Sequence, residues 1–77
     1  MLDNFISDIR FIQYNIRRGK YLTYTKLYRD LYDLERQLDF AYVHKALTYE
    51  EFNQLENEIT ETLLLFRSWK LNEAEKA

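Results

Sequence analysis

A small all-α fold of three helices is what the sequence predicts, and three observations carry that expectation. Apolar residues recur at intervals of three and four along three separate stretches, which is helical spacing. Proline is absent and glycine occurs once in 77 residues, of which 31% are charged, so long helices with short joints are expected. In the run Leu47-Thr48-Tyr49-Glu50-Glu51-Phe52, Thr48 and Glu51 fit a capping box, while Leu47 and Phe52 occupy the staple positions around it. So short a joint folds two helices back antiparallel. The expected architecture is a three-helix bundle with helices over 2–18, 23–47 and 49–72, helices two and three forming the hairpin. It makes one domain over 1–77, ending in a polar tail at 73–77 that frays.

The first helix carries Leu2, Phe5, Ile6, Ile9, Ile12 and Ile16 on one face. Gly19 follows its last periodic residue and suits the left-handed conformation that closes a helix. Arg17, Arg18 and Lys20 sit where the helix dipole favours positive charge. Phe11 and Tyr14 lie roughly opposite the isoleucines, so one core cannot bury both faces.

The second helix opens at Thr23, a plausible N-cap with Leu22 and Leu27 placed as a staple. Tyr24, Leu27, Leu31, Leu34, Leu38 and Ala41 share a face, flanked by Tyr21, Tyr28, Tyr32 and Val43. The resulting apolar sector spans roughly 200°, which predicts a central helix with a neighbour on either side. Its polar remainder is a strip of Lys26, Asp30, Asp33, Gln37 and His44. Tyr21, Tyr24, Tyr28 and Tyr32 make a ladder that either packs between helices with its hydroxyls at the wet edge or forms an aromatic interface. Phe40 and Leu47 project to the opposite flank, near Arg36.

The third helix has Phe52, Leu55, Ile59, Leu63 and Phe66 as its core stripe, Trp69 at the edge, and Glu50 and Glu51 in the first turn. Leu64 and Leu71 face away from that stripe, one heptad apart. They are either two scattered surface leucines or a self-association seam. The tight joint before this helix also admits its exchange with a neighbouring chain.

Several function classes are disfavoured. With no cysteine there is neither a disulfide framework nor a cysteine-type zinc site, which suits a reducing cytosol. Asp3 and Asp8 interrupt the first apolar turns and spoil a signal peptide. No apolar run approaches the ~18 residues that span a bilayer, so a soluble, cytoplasmic protein without membrane contact is expected. His44 is the only histidine and lies in the polar strip, where a solvated side chain is the default over a metal ligand. One glycine cannot make a phosphate-cradling loop, no nucleophile signature is present, and Glu50, Glu51, Glu58 and Glu61 sit on a solvated face. The expectation is a protein that is not an enzyme and holds no cofactor or metal.

What remains is binding. Aromatic residues make up 17% of a chain too small to hide them, so part of the apolar surface ends at an interface, in a homodimer or with a foreign protein. The favoured function is a regulator or inhibitor that docks on a larger protein through Phe11, Tyr14, Tyr28, Tyr32 and Phe40, with Arg18 and Arg36 as polar anchors. Phage and mobile-element regulators are of this kind. One alternative is a nucleic-acid binder using Arg17, Arg18, Lys20, Lys26 and Arg29 with interleaved tyrosines. It is less favoured because the pI of about 5.3 lies far below the value of about 9 usual for such domains. Charge is also modest: residues 1–49 hold eight Lys or Arg against six Asp or Glu, and residues 50–77 three against seven. The other alternative is a structural subunit that pairs only with itself, through Leu64 and Leu71.

Overall fold

The computed structural model describes the backbone of residues 2–76 and the side chains of residues 2–72. It contains α1 (Leu2–Arg17), α2 (Tyr24–Val43) and α3 (Tyr49–Lys76). Gln13 reaches Thr62 and Gly19 faces the Trp69 ring, so α1 and α3 ascend together. Tyr24 meets Phe66 and Tyr42 meets Phe52, so α2 runs antiparallel to both. The expected three-helix bundle, with its α2–α3 hairpin, is therefore the observed one, and α3 packs on its own chain.

The core stripes match the apolar periodicity closely. Ile9, Ile16, Leu27, Leu38, Leu55 and Phe66 are all fully buried in one continuous cluster. Thr62 is buried with them, and its placement is satisfied. Its hydroxyl donates to the Glu58 carbonyl at 2.8 Å and accepts from the Gln13 amide at 3.0 Å.

The central helix is α3 and not α2. Both α1 and α2 pack closely on α3, whereas α1 and α2 scarcely approach each other. The cause lies in the polar strip of α2. Lys26, Asp30, Asp33, Gln37 and His44 all turn toward α1, and a dry seam there would have to bury charges without partners.

The helix ends show which local signals suffice. After α1, the Gly19 amide bonds the Ile16 carbonyl at 3.0 Å and the Lys20 amide bonds the Asn15 carbonyl at 2.9 Å. Gly19 has φ of 73°, so this is the left-handed Schellman closure its position predicts, one residue earlier than expected. The second helix ends at Val43, four residues short of the predicted 47, through the same motif built on a lysine. Lys45 has φ of 63°, its amide bonds the Tyr42 carbonyl at 3.0 Å, and the Ala46 amide bonds the Ala41 carbonyl at 2.8 Å. A lysine in this conformation is unfavourable on its own. Its offset is tertiary: the reversal folds Leu47 into the core, where it is buried and not on the flank expected for it.

At the start of α3 the capping box is complete. The Thr48 amide donates to Glu51 Oε1 at 2.9 Å and the Glu51 amide to Thr48 Oγ1 at 3.1 Å, with Leu47 and Phe52 packed beside it. Thr23 caps α2 by accepting from the Lys26 amide at 3.4 Å. The staple expected there is not made, since Leu22 is exposed and its carbonyl instead accepts from Lys70 Nζ at 2.9 Å. The backbone of α3 continues past the predicted 72 to Lys76; the side chains of the tail expected to fray lie outside the described residues.

Candidate interaction surface

Every fourth residue of α2 from Tyr24 to His44 carries a flat side chain: Tyr24, Tyr28, Tyr32, Arg36, Phe40 and His44. Residues four apart stack along a helix surface, and here they do so pairwise. The Tyr24 and Tyr28 rings are 5.9 Å apart, the Arg36 guanidinium lies 5.8 Å from the Tyr32 ring, and the Phe40 and His44 rings are 4.1 Å apart. Because a step of four residues advances 400°, the row winds across the helix. It begins in the α2–α3 seam, where the Tyr24 ring meets the Phe66 ring edge-on at 5.1 Å, and ends beside α1. Its middle is open to solvent, with Tyr28 55% and Tyr32 57% exposed.

The expected ladder is thus shifted by one member. Tyr21 precedes α2 and leaves the row; it is buried between α1 and α2, with its hydroxyl donating to Asp30 Oδ2 at 2.9 Å. Burial first, then the bond to Asp30 and that carboxylate's charge, push the phenol up to about 12.

The space between α1 and α2 is a groove of three adjoining cavities of about 500, 290 and 390 Å³. The largest has Phe5 and Ala41 among its lining residues, with Arg36, Phe40 and His44 on the α2 side. The middle one is bordered by Asp8, Asp30 and Asp33, and the last by Lys20 and Lys26. Phe40 on one wall and Phe11 on the other are 67% and 65% exposed.

The residues expected to contact a partner therefore fall into two groups. Tyr28, Tyr32, Arg36 and Phe40 share the row on α2, and Phe11 faces the same groove as Phe40 from α1. Tyr14 on α1 and Arg18 just beyond its end stand apart, with the guanidinium 5.3 Å from the Tyr14 ring and Nη1 donating to its hydroxyl at 3.2 Å. Leu64 and Leu71 are both exposed on α3. Of the cations expected for nucleic acid, Arg17 and Arg29 are exposed. Lys20 and Lys26 border the groove beside Asp30, and Arg18 stacks on Tyr14. Asp8, Asp30 and Asp33 form an acidic rim around the middle cavity that the reading of each helix by itself does not bring together. Its signal in the sequence is the polar strip of α2 together with Asp8, which flanks the isoleucine face on the matching side of α1.

Among the described residues, no cluster of three or more His, Cys, Asp or Glu could hold a metal ion, and no helix is long and apolar enough to cross a membrane. The fold and surface define a small all-α bundle that leaves one aromatic helix face and one groove open. No protein-family model matches the chain, and neither a curated protein nor a solved structure matches it.

Proposed function

We propose that the protein is a non-catalytic regulator or inhibitor that docks on a larger protein through the outward face of α2. The observation that carries this is the row Tyr28, Tyr32, Arg36 and Phe40, four flat side chains at successive fourth positions, all exposed among the described residues. Tyrosine and arginine dominate binding hot spots because they bring large contact area and polar tips at low entropy cost. Arg36 is already stacked on Tyr32, so less ordering remains to be done on binding.

The test is the double variant Tyr28→Ala/Tyr32→Ala. Both rings are exposed, so the helical circular-dichroism signal and melting temperature should persist, while capture of the partner from lysate falls at least about thirtyfold in affinity. Capture at wild-type strength sinks the proposal. Loss of the helical signal returns the tyrosines to a role in folding.

A second function, self-association through α3, is favoured by the exposure of Leu64 and Leu71 one heptad apart. Light scattering across a concentration range decides it. Leu64→Lys should then dissociate a dimer, and a monomer at every concentration removes it.

A further inference from the structure

We infer that the α1–α2 groove receives one amphipathic helix of a partner protein that carries a basic residue at its middle and acidic residues toward the end that meets Lys20 and Lys26. The inference rests on the protein-docking role proposed above and specifies the partner's chemistry.

Three features select this occupant. The first is shape. Two antiparallel helices that both pack on α3 leave a continuous groove along their outer seam, with Ile12 and Leu34 buried beneath its middle. The groove runs from Asn4 at one end of α1 to Lys20 just beyond the other, about 24 Å at helical rise, which fits a partner helix of four to five turns.

The second feature is grip. Phe40 and Phe11 rise from opposite walls, and the largest cavity, about 500 Å³ beside Phe5 and Ala41, admits large apolar side chains at helical spacing. The third is charge. Asp8, Asp30 and Asp33 surround the middle cavity, and Lys20 and Lys26 border the end beyond Asp30. Asp30 is held in place by the Tyr21 hydroxyl at 2.9 Å. A partner cation meets these carboxylates at the centre, and a phosphate backbone meets repulsion there.

The probes are two 17-residue idealised helical peptides with the same leucine stripe. One has a central Lys pair and Glu residues at one terminus; in the other these charges are exchanged. Each is titrated into the ¹⁵N-labelled full chain, with amide shifts followed by NMR. The central-Lys peptide should shift Asn4, Asp8, Gln37 and Ala41 and bind about tenfold tighter than its charge-exchanged twin. In Asp8→Asn/Asp33→Asn, two exposed sites whose change leaves the fold intact, that preference should vanish.

Equal affinity of the two peptides overturns the inference, as does a shift pattern lying outside the groove or absent altogether. Groove shifts that arise on concentrating the chain alone assign the groove to a second copy and overturn it too. Failure here is separable from failure of the docking role. Peptides that ignore the groove while Tyr28→Ala/Tyr32→Ala still abolishes partner capture remove only the groove assignment. The converse result removes only the outer face of α2.

Discussion

One helix, α2, makes two unlike seams. Against α3 it closes with Leu27, Leu38, Leu55 and Phe66 fully buried and the Tyr24 ring set edge-on against Phe66. Against α1 it stands off, and the gap holds Asp8, Asp30, Asp33, Gln37 and His44. Both seams have apolar residues available, since Ile12 and Leu34 are buried beside the middle cavity. The difference lies in what flanks them. On the α3 side aromatic rings cover the seam and the carboxylates of Glu35, Asp39 and Glu56 stay at its edge, whereas on the α1 side carboxylates and cations that keep their hydration line the gap itself. A bundle this small thus separates stability, carried by α3, from the surface left for binding.

The contrast is broken most severely at Phe66. Phe66→Ala removes a fully buried ring from the α3 seam and should cost about 3–5 kcal/mol. Net stability of a domain this size is itself roughly 3–5 kcal/mol, so urea titration followed by circular dichroism should find most of the chain unfolded without denaturant. A variant that still melts cooperatively near the wild-type temperature would show that α3 is not the hub.

Thr62→Val tests the α1 side of the same helix. The substitution keeps the volume but removes the hydroxyl that links the Gln13 amide to the Glu58 carbonyl, and about 1 kcal/mol should be lost. Chemical denaturation of Thr62→Val, Gln13→Leu and the double variant reads the coupling directly; strict additivity would show that the link between α1 and α3 contributes nothing.

A smaller gain is expected at the polar edge of the α2–α3 seam. Burial, then the charge and hydrogen bond of Glu35 and the charge of Asp39, raise the Glu56 carboxyl above its ordinary value of 4.5. For an acid raised on folding, the native state holds the proton more tightly. The destabilising contribution is therefore absent below about pH 4.5 and grows as pH rises through the raised value. Glu56→Gln should raise the melting temperature at pH 7 and leave it unchanged at pH 4. Because the group is partly solvated, the gain is below about 1 kcal/mol. Equal melting temperatures at pH 7 would show that the acidic pair is harmless.

The smallest stability effect belongs to the open side. Phe40→Ala should change unfolding free energy by no more than about 0.5 kcal/mol, since its ring is mostly in water, yet weaken the central-Lys peptide about tenfold. A loss of stability like that of Phe66→Ala would mean that the groove is part of the core.

How much of this was legible depended on whether a signal was local. Glycine at position 19 announces a left-handed closure because only glycine adopts it freely. Lys45 adopts nearly the same φ with no such announcement, since its conformation is set by the descent of Leu47 into the core. The candidate surface divides in the same way. The exposed residues Phe11, Tyr28, Tyr32 and Phe40 could be found by asking which aromatics one core could not bury. The acidic rim between them could not be assembled without knowing which face of α1 meets which face of α2.

By itself the sequence determined the three helices, their stripes of core residues and the caps at Thr23 and Thr48, all of which depend on residues within about four positions of each other. Only the tertiary structure decided that α3 is the hub, that Thr62 is interior and that the polar strip of α2 lines a groove. Those outcomes turn on contacts between residues such as Gln13 and Thr62, 49 positions apart, where several pairings of the same apolar faces compete and the burial of charge selects among them.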